Sequence, residues 1–310
     1  MKSAVIATVL LVVAAQSEPR FALRGGCILP YAAYAPTRDA LYFCDNAGRR
    51  AGTPPPPLAD RLRLDAQNNL CASATAPVPM ALKEFGLLPS PPRSQLATNR
   101  KSLAQVAELP GRADVGEGTV VRTVGIISKA HVVGCSEPVP GERAGSSVTC
   151  DFMGGPKVSE IQVNLSQVSA PRDAPDCDTI VAKLVTHYRP IWWDDIDIKT
   201  PDGPVRITGQ LFYDDSVESC QRSASGMVSA TGMQSPRSTR WEIHPIYAID
   251  VCVASAAVEC DASNGKLWVP YHQWLDRPDA RVHATGTSER IACRDASLKW
   301  LTSQGQEPRW

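Results

Sequence analysis

The sequence lacks a close cysteine pair: it holds ten cysteines, yet no two are spaced as C-x-x-C. Structural zinc sites are usually built from such a pair, followed by a second pair or by histidines, so the case for zinc-finger chemistry is lost. Nor is there an excess of either charge, with 32 basic against 32 acidic residues. That balance denies the chain the basic footprint of a general nucleic-acid binder; a local basic patch stays open. Aromatic residues are scarce at 6 %, and a core consumes most of them. Behind residue 15 no stretch reaches the roughly 20 apolar residues of a spanning helix. Also missing are G-x-S-x-G, H-E-x-x-H, a phosphate-cradling glycine loop and an amphipathic basic helix. His131, His272 and His283 stand outside any motif.

What is present begins with an address. Met1, Lys2 and Ser3 precede AVIATVLLVVAA at residues 4–15. One basic residue, a short uncharged apolar run and small residues at Val13-Ala14-Ala15 predict a cleavable signal peptide over 1–15. The run is too short for a membrane anchor. Cys27 follows Arg24-Gly25-Gly26, which lacks the aliphatic residue of a lipid-attachment signal. Export places Cys27, Cys44, Cys71, Cys135, Cys150, Cys177, Cys220, Cys252, Cys260 and Cys293 in an oxidising compartment. Their even count and wide spacing predict disulfides. Connectivity is open; loop length makes Cys135–Cys150 and Cys252–Cys260 reasonable local pairs.

Behind the signal, residues 16–118 read as an irregular and helical N-terminal region. Pro54 to Pro57 favour an extended segment. Leu58, Leu62, Ala66 and Leu70 recur at a spacing of four and predict a helix over 58–72. A second helix is predicted over 94–109, with Ser94 as its N-cap. From residue 119 the period becomes two, the strand signal. Strands are predicted over 119–127, 158–165, 179–187, 204–213 and 239–253. Ile180, Ala182 and Leu184 share one face, with Lys183 and His187 on the other. Trp241, Ile243, Tyr247, Ile249 and Val251 share a face, opposite Glu242, His244 and Asp250. Pro245 marks an edge or bulge, and Gly209 a sharp bend. There is room for a short helix between the third and fourth strands. The predicted class is mainly β with some α: a five-stranded OB-like barrel over 119–255, a disulfide-tied N-terminal region and a C-terminal extension over 256–310.

Four segments then carry a resemblance: THYRP at 186–190, VRITGQLFYDD at 205–215, RWEIHPIYAIDVC at 240–252 and AQNNLCA at 66–72. Together they resemble a family of uncharacterised exported bacterial proteins with a WEIHP motif and an OB-like strand domain. The resemblance implies relatedness and export, and it carries over no catalytic residue. Ser216 and Val217 follow FYDD where the resemblance leads one to expect a histidine, which argues against a histidine-based site there.

Three constellations are candidates for chemistry. Glu242 and His244 share a strand face, and His187 ends another strand on its non-core face. If those strands adjoin, two imidazoles and a carboxylate would suit Zn²⁺ and water activation. The bland reading is a polar sheet surface. Asp194, Asp195, Asp197, Asp202, Asp214, Asp215 and Glu218 crowd one region, but no calcium-loop spacing appears among them. Tyr188, Trp192, Trp193 and Trp241 lie near arginines such as Arg206, a combination with which OB barrels stack single strands or sugars.

The leading expectation is an exported, periplasmic or extracellular, non-enzymatic module that binds a ligand or an envelope partner and needs no cofactor. The alternative is a metal-dependent hydrolase, a nuclease or phosphoesterase, using His187, Glu242 and His244. A structural envelope protein is a third class.

Overall fold

The structure, a computed structural model, describes residues 62–63, 66, 76–108, 114–133, 160–169, 176–185, 193–217, 219–222, 228–229, 237–254, 256–260 and 265–303. It is mainly β. Five long strands form its centre: β1 (Val120–Val133), β2 (Glu160–Ser166), β3 (Ile180–Leu184), β4 (Val205–Tyr213) and β5 (Trp241–Cys252). A short β6 (Trp268–Pro270) adds antiparallel to the end of β5. Beside them stand α1 (Leu82–Phe85), α2 (Arg93–Asn99), α3 (Tyr271–Leu275) and α4 (Thr287–Ser303).

The sheet is mixed. β1 pairs antiparallel with β2 on one side and with β4 on the other. β2 pairs antiparallel with β3, and β4 with β5. β5 also meets β3 in parallel, with Ile243 opposite Ala182. The apolar alternation fixes which face is core: Ile161, Val163 and Leu165 of β2, Ile180, Ala182 and Leu184 of β3, and Val205, Ile207 and Leu211 of β4 join one buried cluster. A register irregularity between Ile127 and Lys129 switches the parity of β1. Ile127 and Ala130 therefore both face the core.

A similar irregularity corrects the predicted face of β5. Its register shifts between Ile243 and Ile246 and again before Ala248, around the cis His244–Pro245 bond. Ile246 thereby takes the core position. Tyr247 turns outward, and its hydroxyl donates to Gln210 at 2.6 Å. The bulge expected at Pro245 is present. Gly209 lies opposite it: a Cβ there would stand 2.3 Å from Ile243 Cγ2 and 2.4 Å from the Pro245 carbonyl oxygen.

The described N-terminal segment contributes to the same core. Met80, Leu82, Phe85, Leu88, Leu96 and Leu103 pack into it. Val78–Pro79 pairs in parallel with β1. The Trp241 indole donates to the Pro89 carbonyl at 2.8 Å and the Tyr213 hydroxyl to that of Pro91 at 3.0 Å. The N-cap of α2 is Pro92, not Ser94. That helix also stops early, giving way to a 3-10 turn over Arg100–Ala104 where Arg100 turns inward to a buried carboxylate. Residues 107–108, predicted helical, pair instead with Asp114–Val115. Of the helix predicted over 58–72, only Leu62, Arg63 and Ala66 fall among the described residues, and they are helical.

Between β3 and β4 the described residues 193–199 are mostly turns rather than a helix. Arg290 of α4 binds both carboxylate oxygens of the buried Asp197. The Thr285 hydroxyl, just before α4, accepts from the Ala130 N–H at 2.8 Å and donates to the Ala130 carbonyl at 2.9 Å. One side chain thus satisfies a strand residue of β1 beyond its ladder with β4.

Two disulfides are present, Cys177–Cys220 and Cys252–Cys260, with Cα separations of 5.6 and 5.9 Å. The second is the local pair expected from spacing. Cys293 is likewise disulfide-bonded, and no described cysteine is free. The other five cysteines, Cys135 and Cys150 included, lie outside the described residues. No described helix is long and apolar enough to cross a membrane.

Candidate functional site

The non-core face of β2, β3, β4 and β5 is polar and nevertheless buried. Alternation opposite the apolar positions places Glu160, Lys183, Phe212, Glu242 and His244 there. The strand pairing sets them side by side: Gln162 lies opposite Lys183, and Glu242 opposite Phe212. Glu160, Asp214, Arg237, Glu242 and His244 are all less than 5 % exposed.

These charges satisfy one another. The Lys183 ammonium lies 3.2 Å from Glu160, 3.5 Å from Glu242 and 3.8 Å from Asp214. Arg237 donates to Glu242 through one nitrogen and to Asp214 through another, the latter at 3.2 Å. Ser216 donates its backbone N–H to Asp214 at 3.0 Å. A second layer continues outward: Arg100 donates to both oxygens of Glu117, to Asp215 at 3.0 Å and to the Tyr213 carbonyl. The Arg100 guanidinium also lies over the Phe212 ring, 5.1 Å from its centroid.

Electrostatics follow from this packing. Burial works to raise the Glu242 carboxyl, but Lys183 and Arg237 outweigh it and hold the group below the usual carboxylate range. Asp214 is likewise depressed: burial opposes, and Arg237, Lys183 and Arg63 prevail. Burial alone would lower Lys183, yet Glu160, Glu242 and Asp214 together raise it above its ordinary value. At neutral pH these groups are ionised. A lysine held charged is no nucleophile, and a carboxylate gripped by two cations is a poor base or metal ligand.

His244 lies beside this network. Its Nδ1 is 3.3 Å from Glu242 Oε1, and its ring packs against Phe212 at 5.4 Å. Neither ring nitrogen has a well-aligned hydrogen-bond partner among the described residues. The structure therefore brings Glu242 and His244 together. His187, the third member of the expected set, lies outside the described residues. Among the described residues no group of three or more His, Cys, Asp or Glu side chains is arranged to hold a metal ion.

The remaining candidates separate. Asp195 pairs with Lys199 and Arg290, Asp197 with Arg290, Asp202 with His283 and Asp215 with Arg100. Most of the described acidic region is thus engaged in ion pairs and, at Asp202, in a contact with the His283 ring, which fasten segments to one another; Glu218 lies outside the described residues. Trp193 and Trp241 face the core at 2 % and 0 % exposure, where no ligand stacks on them. Trp241 meets Tyr213 edge-on at 5.1 Å. Tyr188 and Trp192 lie outside the described residues. Arg206 is partly buried on the non-core face, bound to Asp250 at 2.7 and 3.0 Å and lying over Trp268 at 4.9 Å.

Sequence reasoning singled out neither Arg237, nor Glu160, nor the central role of Lys183. The alternation of β3 placed Lys183 on the non-core face, a signal that was available. Arg237 precedes β5 and belongs to no periodic run. No protein-family model matches the chain, and no curated protein matches it.

Proposed function

We propose that this chain is an exported, non-enzymatic binding module built on an OB-like barrel. The strand ladders support the barrel. They run from β1 through β2, β3, β5 and β4 back to β1, and among these five strands the parallel contact is the one that joins β3 to β5. The likeness of residues 240–252 to exported proteins bearing WEIHP belongs to the same reading. So do the disulfides, which suit an oxidising compartment. The observation that carries the non-enzymatic part is the commitment of Glu242 to Lys183 and Arg237 inside a buried cluster. The polar residues that looked most like machinery hold the fold instead.

The test is tryptophan fluorescence of the full chain, disulfides intact, titrated with single-stranded DNA and with neutral oligosaccharides. Saturable quenching by either supports a binding module. Its absence with both would leave a structural envelope role or a protein partner.

One observation favours a hydrolase as the second reading. His244 Nδ1 stands 3.3 Å from Glu242 Oε1 with its Nε2 unpartnered among the described residues, and an imidazole beside a carboxylate is a common proton-transfer pair. Stoichiometric Zn²⁺ in the purified protein, lost in His244→Ala, would establish that reading and overturn the first.

A further inference from the structure

We infer that Arg122 and Arg206 form an oxyanion-binding site on the outer face of β1 and β4, one that takes a phosphate or sulfate group. The inference rests on the binding-module reading and names its ligand chemistry. Arg122 lies opposite Thr208, and Arg206 opposite Val124, so the two guanidiniums are diagonal neighbours on adjacent strands, within reach of one another. Their charges are unequally matched. Arg206 has a carboxylate of its own, Asp250, held by two hydrogen bonds, and it is steadied over the Trp268 ring. Arg122 has none. Its one hydrogen bond to a described residue runs from Nε to the Thr208 hydroxyl oxygen at 3.2 Å.

Arg122 is nonetheless partly buried. Burial and the neighbouring Arg206 both disfavour its charge, and Asp250 offsets them only in part. Among the described residues this planar fork of donors meets one hydroxyl oxygen and not the pair of acceptor oxygens it is shaped to take. Thr208, having accepted from Arg122, retains its own O–H to donate. Among the described residues, two guanidiniums and one hydroxyl thus come together beside the Asp250 carboxylate and an aromatic face. A tetrahedral oxyanion supplies both acceptor oxygens and negative charge, whereas a neutral sugar offers hydroxyl acceptors without the charge.

The experiment is calorimetric titration of the full chain, disulfides intact, at low ionic strength. The probes are inorganic phosphate, inorganic sulfate, a phosphomonoester sugar, a ten-nucleotide oligothymidylate and a neutral oligosaccharide. Saturable phosphate or sulfate binding is expected. It should weaken about tenfold or more in Arg122→Gln, as befits loss of a charge-assisted pair, and less in Arg122→Lys. The phosphomonoester and the oligonucleotide distinguish a terminal ester from a phosphodiester backbone as the natural source. Equal anion binding by Arg122→Gln, or no anion binding by the parent, overturns the site. Neutral oligosaccharide binding that Arg122→Gln leaves unchanged would then keep the module reading standing. Binding to none of the five would remove both.

Discussion

The Pro245 carbonyl and the Cα of Gly209 face each other so closely across β5 and β4 that no side chain fits between them. A Cβ at Gly209 would lie 2.4 Å from that oxygen and 2.3 Å from Ile243. The bulge at Pro245 pushes backbone toward β4, and β4 yields by having no side chain there. Gly209→Ala should therefore cost about 2 kcal/mol, as forced overpacking does, and lower the melting temperature by roughly 3–6 °C. Thermal denaturation checks it; an unchanged midpoint would mean the bulge relaxes freely.

Much of this sheet was legible because its signals were local. Ile161, Val163 and Leu165 alternate without interruption, and so do Ile207 and Leu211. Pro245 and Gly209 announced an irregularity. What they could not announce was its consequence, the exchange of Ile246 for Tyr247 in the core, because a two-residue period says nothing about where a bulge resets it. The short α2 escaped for another reason. Arg100 leaves the helix to reach Glu117 and Asp215, and partners so distant in sequence leave no trace in periodicity.

The candidate site was half legible for the same cause. Glu242 and His244 are neighbours on one strand, so the pattern placed them together. Their meaning came from Lys183 and Arg237, whose approach depends on strand pairing. Arg237→Met tests that meaning. It strips a cation from Asp214 and Glu242, both buried, and should destabilise the protein by about 3–5 kcal/mol. Arg237→Met combined with Glu242→Leu should recover part of the loss. Chemical denaturation of these variants and of Glu242→Leu alone completes the cycle; a double variant whose loss equals the sum of the two single losses would deny the coupling.

The same cluster sets an acid limit. Asp214 and Glu242 have depressed carboxyl pKa values in the folded state. Their contribution is thus complete above the unfolded carboxylate range and is lost as pH falls through it, from about pH 4 downward. Glu242→Gln should flatten the acid side of the stability curve. A curve of unchanged steepness would show that Glu242 does not contribute to it.

His131 adds a separate window at milder pH. Burial and Lys129 lower its pKa to about 4, against opposition from Glu289 and Asp176. The folded state keeps the imidazole neutral, whereas the unfolded chain protonates it near pH 6.5. Stability is then full above that value and declines between about pH 6.5 and 4, by about 3 kcal/mol at most. His131→Gln should remove that decline and leave the steeper loss below pH 4 in place. Denaturation midpoints measured at pH 7, 5.5 and 4.5 separate the two.

The two disulfides should differ in what they contribute. Cys177–Cys220 closes a loop 43 residues long in sequence separation, and Cys252–Cys260 one of 8. If the bridges act by restricting the unfolded chain, their contributions scale with the logarithm of loop length, about 4 kcal/mol for the first and about 2.5 kcal/mol for the second. The long bridge also has a local consequence, because Cys220 sits where its N–H donates to the Arg237 carbonyl at 2.8 Å. Replacing Cys177 and Cys220 by serine should therefore loosen Arg237 as well, adding a loss of the ion pairs to Asp214 and Glu242 that the entropy of the loop does not include. A Cys252→Ser, Cys260→Ser variant should show its entropic loss alone. Measured in the parent chain and again in an Arg237→Met background, where the cluster is already broken, the gap between the two variants should narrow. A gap that stays the same in both backgrounds would confine the long bridge to its effect on the unfolded chain.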